Sequence, residues 1–346
     1  MTEDPTDPHT ALPTLADVAS RAGVSTATVS RVLNAPDRVA KATRDRVDQA
    51  VRELGYSPNF GARALAARRT GTVGAVIPTM ENAIFARALQ AFQEELRDHG
   101  LTLLVASSAY SPEIEEEQIR ALVARGADAL LLIGHQRSEA LYRFLKQRGV
   151  PVLIAWAHDA SAPRPAIGFD NSKAMRALAD EVLTLGHRHI GVISAEQAGN
   201  DRARARVDGV RAAMAGRGLD PDGIALIETP YSVENGKQAF ARLMRRAPRP
   251  TAVICGNDVL AAGALQMAKD MQMHVPGDVS ITGFDDIEIA TLVDPPLTTV
   301  HVPHRMMGRE AARTLVGMVR DGAPLAQGME LPADLRRRGT LGPPPA

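Results

Sequence analysis

TLADVASRAGVSTATVSRVLN, residues 14–34, is the stretch from which the rest of the chain is read. Within it Leu15, Val18, Ala19 and Ala22 recur at i, i+3, i+4 and i+7, the spacing that lays one narrow apolar stripe along a short helix. Gly23 stops that helix, because glycine accepts the positive φ of a sharp turn, and Ser25 follows with a side-chain oxygen able to cap a second helix. The second helix turns Val29, Val32 and Leu33 inward. Its other side carries Thr26, Ala27, Thr28, Ser30 and Arg31, all short except the arginine, so the backbone can approach a groove closely. This is helix-turn-helix spacing. An ordinary helical hairpin is the competing reading, but a hairpin packed on all sides would not keep its polar residues on one face.

Working outward, Ala35-Pro36-Asp37 breaks the pattern, and Val39 to Leu54 makes a third helix with Val47, Ala50, Val51 and Leu54 on one face and Gly55 at its end. Three such helices close a small core that is marginal on its own. Between Thr14 and Thr70, ten Lys and Arg side chains stand against five acids, although the net charge of the whole chain is zero. A basic module on a neutral body suits contacts with phosphates, each of which releases counterions from a duplex. The following segment, Tyr56 to Ala66, holds Pro58, which biases Ser57 away from helix, and Asn59, which can cap a helix of about two turns. By spacing alone so short a stretch, with Gly61 inside it, reads as a plain linker.

A length of 346 residues implies two or three domains. Residues 1–13 are acidic and Pro-rich, where an export signal would be basic and then apolar, and no apolar run reaches the length of a membrane span. The expectation is a disordered tail on a cytoplasmic protein. The single cysteine, Cys255, rules out an internal disulfide framework and a cysteine-based zinc site, and reads as a buried thiol in a strand.

From Gly71 the pattern changes. Val73–Ile77, Leu101–Ala106, Ala129–Ile133 and Val152–Ala155 are short apolar runs alternating with amphipathic helices such as Ala83–His99 and Ile114–Arg125. A second series, Ile190–Ser194, Ile224–Ile227, Ala252–Cys255 and Val279–Gly283, repeats the alternation. Buried parallel strands read this way. The fold class expected is therefore α/β: a helix-turn-helix headpiece followed by two doubly wound parallel-sheet subdomains, with a cleft at the carboxyl ends of the strands, as in periplasmic binding proteins.

The opening stretch, together with GADALLLIG, LGHRHIGVIS, ICGNDVLAAGAL and DVSITGFDDIEIATLVDPPLTTVHVPHRMMGREAARTL, resembles the lactose-repressor/galactose-repressor family of bacterial transcription regulators from about Thr14 to Leu335. The resemblance implies a headpiece over residues 14–58, a hinge helix and linker over 59–70, and an effector-binding and dimerisation core over 71–338. Within that core it implies one subdomain of about 71–168 and 303–325, a second of about 169–302 and 326–338, and a tail at 339–346. The implied partners are a pseudo-palindromic double-stranded DNA operator, a small-molecule effector and a second copy of the chain, with no membrane, no metal and no cofactor. Thr26, Ala27 and Arg31 would face base edges, and Arg31 is the side chain able to bind guanine in two places. Thr14, Leu15, Ser25, Thr28, Ser30, Asn34, Tyr56 and Asn59 complete the implied DNA surface, and Leu65 falls on the leucine that wedges between base steps in the minor groove.

In the cleft the resemblance implies that Asn257 and Asp285 hold effector hydroxyls, that Arg206 grips the effector, and that Tyr231 and Phe85 wall it. The alternative for either aromatic is core packing; for Arg202 and Arg204, solvation; for Asp258 and Asp286, a helix N-terminal cap. Trp156 departs from sugar-responsive relatives, which often carry an acid there, and it either walls the cleft or packs. The chain after Leu335 lacks apolar heptads, so a dimer is expected in place of a tetramer.

Catalytic and metal readings find little support. His187 and His189 alternate along a strand start, His301 and His304 have no acid or thiol close by in sequence, and neither a phosphate-binding glycine loop nor a Gly-x-Ser-x-Gly elbow occurs. A sugar-processing enzyme using Asp258, Asp285 and Asp286 would leave the basic headpiece without a task. An exported sugar-binding protein would need an export signal. The function expected is a sequence-specific DNA-binding regulator, most simply a repressor, controlled by a metabolite such as a sugar or sugar derivative.

Overall fold

The computed structural model describes residues 12–57, 69–322 and 328–345. The chain divides into two compact units, Met1–Thr70 and Gly71–Ala346. In the first, α1 (Leu15–Ala22) opens with a capping box in which the Thr14 hydroxyl accepts from Asp17 N and the Asp17 carboxylate accepts from Thr14 N. Gly23 ends it at φ 63°, in the left-handed region, and Ser25 accepts from Thr28 N to start α2 (Thr26–Asn34). A short 3₁₀ turn, Pro36–Arg38, leads to α3 (Lys41–Leu54), which Gly55 closes at φ 62°. Val18, Ala19, Ala22, Val29, Val32, Val47 and Ala50 form the buried core of this unit, and Leu33, Val51 and Leu54 pack around it half-buried. The apolar faces read from the sequence are thus the ones that meet.

The second unit holds two parallel sheets. In the larger, β1 (Thr72–Ile77) lies between β2 (Thr102–Ser107) and β3 (Ala129–Ile133), followed outward by β4 (Val152–Ala155), β5 (Ala166–Gly168) and β11 (Met329–Glu330). The smaller runs in the order β7 (Ala225–Glu228), β6 (Ile190–Ser194), β8 (Ala252–Cys255), β9 (Ser280–Thr282). β1, β3, β6, β8 and β9 are buried along their whole length, which explains the mainly apolar sequences of the first four, while β9 is buried with two polar residues, Ser280 and Thr282; β2, on the edge, is half-exposed. Strand β10 (Thr299–His301) pairs antiparallel with β12 (Asp334–Arg336) in a separate ribbon.

Helices cover the sheets in tightly packed pairs. α4 (Ala83–Asp98) packs on α12 (His304–Asp321), α7 (Asn171–Thr184) on α8 (Asp201–Ala215), and α9 (Val233–Met244) on α10 (Asp258–Asp270). The first pair is so close that a Cβ at Gly308 would fall on the Ala88 carbonyl of α4. Helices α5 (Pro112–Ala124) and α6 (Glu139–Gln147) close the remaining face of the larger sheet, through Ile119, Leu122, Leu141 and Leu145. A short α11 (Ile289–Leu292) follows β9.

Two expectations are corrected. The expected second subdomain takes in residues 326–338, but Met329–Glu330 pairs in register with Ile167–Gly168 and extends the first sheet. Residues 339–346 were read as a tail, yet Thr340 is 0% exposed: its hydroxyl accepts from Thr298 N, its carbonyl accepts from Ile281 N, and the Gly342 carbonyl lies 2.8 Å from His187 Nε2. Both segments are held by hydrogen bonds in place of an apolar face, which leaves little mark in a hydropathy pattern. The strands β5 and β10, three residues each, are too short to show as apolar runs.

Candidate functional site

In the first unit the start of α2 presents Thr26 and Ala27 exposed, with Arg31 exposed one turn on. Thr28 and Ser30 are half-buried, and the Thr28 hydroxyl lies 2.9 Å from Ser25 Oγ, fixing the first turn. Thr14 is committed to its capping box. Leu15 and Tyr56 are half-buried against the small core. Asn34 is the last residue of α2, and its side chain lies outside the described residues, as do Asn59 and Leu65. What remains on the outside is a helix end with small side chains and one long cation, a shape and charge suited to the major groove.

In the second unit Phe85, Trp156, Arg206, Tyr231, Asn257 and Asp285 all line one cavity of about 330 Å³, counting its open mouth. They come from distant parts of the chain. Phe85 sits in the first turn of α4, and Trp156 follows β4. Arg206 lies on α8, Tyr231 just before α9, Asn257 at the start of α10, and Asp285 just after β9. This is the crevice beyond the carboxyl ends of both sheets, where open α/β folds bind ligands.

Arg206 organises it. Buried to 5% exposure, it donates Nε to Asn171 Oδ1 at 2.9 Å and Nη1 to the Gly256 carbonyl at 2.6 Å. Its Nη2 is 3.5 Å from Asp285 Oδ1, and the guanidinium lies 3.8 Å over the Phe284 ring. Asn171 in turn donates to the Trp156 carbonyl at 2.9 Å, so one hydrogen-bonded chain joins both walls. Burial pushes the Asp285 carboxyl up to about 6, against the pull of Arg206. Asp285 and Trp156 both hold positive φ, 105° and 61°, a backbone cost that side chains rarely meet outside sites where the surroundings impose it.

Trp156 settles between its two alternatives by meeting both. It is 1% exposed and tilts against Phe85 with ring centroids 5.1 Å apart, yet it also lines the cavity. Its Nε1 has no hydrogen-bond partner among the described residues.

The capping alternative for the aspartates is corrected. Asn257 is the residue that caps α10, accepting from Leu260 N at 2.9 Å. Asp258 instead accepts from the Thr299 hydroxyl at 2.5 Å and from Ile287 N at 2.8 Å, clamping the loop that carries Asp285; burial, then the Asp285 charge, push its carboxyl well above the usual range. Asp286 pairs with Arg338 at 2.6 Å and His301 at 2.9 Å; although burial opposes it, these partners hold its carboxyl below the usual range. Arg202 is not solvated: it donates to the Ile133 carbonyl and to Asp201 and lines the cavity. Arg204 is the outward one, bonded to exposed Gln136.

Asn82, Ile84, Tyr110 and Asn200, which the sequence reading does not single out, also line the cavity, as does Arg202. Asn82 and Asn200 cap α4 and α8, a signal legible as an asparagine just ahead of a helix. Tyr110 sits in a left-handed loop at φ 61° and packs on Tyr231, which no local pattern announces. A second recess of about 370 Å³ adjoins the first and shares Tyr110 and Arg202 with it. Among the described residues no group of three or more His, Cys, Asp or Glu side chains could hold a metal, and no helix is long and apolar enough to cross a membrane.

Against known proteins, residues 14–59 match the family described as bacterial regulatory proteins, lacI family, and residues 179–341 match a periplasmic binding protein-like domain. The transcriptional regulator GntR of Pseudomonas aeruginosa is 35% identical over 330 residues, covering 94% of this chain and 95% of that protein. A lacI-family regulator from Silicibacter pomeroyi superposes with a TM-score of 0.86 at 29% identity, covering 95% of this chain and 99% of that one. The Lac repressor dimer bound to operator and the anti-inducer ONPF superposes with a TM-score of 0.83 at 26% identity, over 95% and 98% of the two chains. With both a headpiece and a core of this kind along its length, the chain belongs to the lacI family of bacterial regulatory proteins and is a DNA-binding transcriptional regulator, not an enzyme.

Proposed function

We propose that this protein is a cytoplasmic repressor that binds a pseudo-palindromic operator as a homodimer and answers to a small hydroxylated metabolite, a sugar or sugar derivative, held in the cavity around Arg206. The observation that carries the reading is the convergence on one crevice of a buried arginine, a buried carboxylate and facing aromatic rings, in a chain whose first unit exposes a helix-turn-helix surface. Arginine and aspartate take hydroxyl groups from both sides, and rings cover the apolar faces of a sugar. In this reading residues 14–58 enter the major groove, residues 59–70 form the hinge, and Leu65 wedges into the minor groove. The effector acts by binding one arrangement of the two lobes more tightly than the other, and the operator affinity shifts by that difference.

Footprinting of the upstream region of the protein's own gene tests this. Wild type is expected to protect a pseudo-palindrome of roughly 14 to 20 base pairs, two half-sites about one helical turn apart. Arg31→Ala is expected to lose about 1–3 kcal/mol of discrimination at one guanine in each half-site. Leu65→Ala is expected to weaken protection while leaving the sequence preference in place. Protection unchanged by both substitutions, or its absence from random-sequence selection as well, would overturn the reading.

A further inference from the structure

The donors and acceptors around the cavity are unequal in number. Asn82, Asn200 and Asn257 all line it, and each has its Oδ1 engaged by its own helix, accepting from Ile84 N, Ala203 N and Leu260 N at 3.2, 3.2 and 2.9 Å. Each adds amide Nδ2, a donor, while its Oδ1 is held on the helix terminus with one lone pair already used; the Asn200 amide serves the Tyr231 hydroxyl. The Trp156 indole N–H is a donor only, on a residue 1% exposed, and is unpartnered among the described residues. Arg206 has three of its five N–H groups engaged, and Arg202 is anchored through Nη1. Among the described residues the one carboxylate that lines this cavity, Asp285, already faces Arg206. Asp201, which balances part of the Arg202 charge, lines the neighbouring recess instead. The N-termini of α4, α8 and α10 converge on the same space and add positive potential.

A neutral sugar does not answer this arrangement well, since each hydroxyl brings a donor together with its acceptor lone pairs. A carboxylate brings acceptors alone. We propose that the effector is a sugar acid, a carboxylate on a hydroxylated carbon skeleton, whose carboxylate takes its hydrogen bonds from Arg202, Arg206 and the Trp156 indole N–H while Asp285 accepts from a hydroxyl. This rests on the effector-binding reading of the cavity given above.

Calorimetric titration of the full-length protein tests it, with D-gluconate, D-galactonate, D-glucuronate and D-galacturonate against D-glucose, D-galactose, D-glucitol and D-glucose 6-phosphate. At least one acid is expected to bind at least about tenfold more tightly than its neutral counterpart. Arg202→Gln is expected to weaken that acid about tenfold to a hundredfold, the worth of a charge-assisted hydrogen bond. Trp156→Phe, which keeps an aromatic ring but removes the N–H together with the five-membered ring, is expected to weaken the acid about tenfold more than it weakens the neutral counterpart. Melting temperatures without ligand establish that both variants fold. A neutral sugar or the phosphate binding more tightly than every acid, no acid binding at all, or acid binding unchanged in both variants would overturn the proposal. Footprinting on the same preparation separates the two levels. Operator protection relieved or promoted by a neutral sugar leaves the regulator reading standing without the carboxylate, and no operator protection under any condition removes the regulator reading itself.

Discussion

His304 shows how far a single residue is governed by its surroundings. It opens α12, is 4% exposed, and places Nε2 3.2 Å from the Asp285 carbonyl; burial pushes its pKa down to about 4. Between about pH 6.5 and 4 the unfolded chain takes up a proton here that the folded chain refuses, so stability is lost as pH falls through that window. The loss is on the order of 3 kcal/mol by pH 4. Asp285 acts oppositely, because its raised pKa lets the fold bind a proton before the unfolded carboxylate does, and stability is gained as pH falls through about 6. The two partly cancel in wild type, so the comparison that isolates the histidine is with His304→Gln. Chemical denaturation at pH 7 and pH 4.5 is expected to show this variant losing about 2–3 kcal/mol less than wild type on acidification. Equal acid sensitivity in the two proteins would mean that the buried imidazole is protonated in the fold.

At the scale of elements, α12 carries two glycines with opposite expectations. A methyl at Gly308 would meet the Ala88 carbonyl of α4, whereas one at Gly317 meets nothing within 4 Å. Gly308→Ala is expected to cost about 1–3 kcal/mol through forced separation of the two helices. Gly317→Ala is expected to stabilise by about 1 kcal/mol through helix propensity alone. Thermal denaturation of the pair decides it, and a Gly308→Ala protein as stable as wild type would show that the α4 and α12 packing yields easily. In the first unit, Thr14→Ala removes one half of the α1 capping box and is expected to cost about 1 kcal/mol. In so small a core that loss is expected to appear as reduced amide protection over residues 15–22 by hydrogen exchange.

At the scale of the molecule, the chain end is part of the second lobe. Ending the protein after Arg338 removes Thr340 and Gly342, and with them the partners of Thr298 N, Ile281 N, His187 and Ser280. Leaving several buried polar groups unpaired is expected to cost about 3 kcal/mol or more. The truncated protein should melt earlier than wild type even though no cavity residue has been touched; an unchanged melting temperature would mean that water satisfies those groups as well. The same long-range tying is visible in the crevice, where Asn171 and Arg206 connect Trp156 to Asp285 across more than a hundred residues of sequence.

Periodicity and composition were enough to determine the three headpiece helices and their buried faces, the run of parallel strands and the two-lobed class, because each of these depends on residues close together in the chain. Phe85, Arg206, Tyr231, Asn257 and Asp285 follow from resemblance to a family and Trp156 from its departure from that family's pattern, and all six line one cavity. Tertiary structure alone decided the rest. The pairing of Met329–Glu330 with the first sheet depends on backbone groups, which every residue carries alike, and the burial of Thr340 depends on where Thr298 and Ile281 arrive in space. The exchange of roles between Asn257 and Asp258 depends on where Thr299 and Ile287 arrive in space. Arg202 sits among other arginines in a run that reads as solvated, and only its tertiary contact with the Ile133 carbonyl places it on the cavity wall.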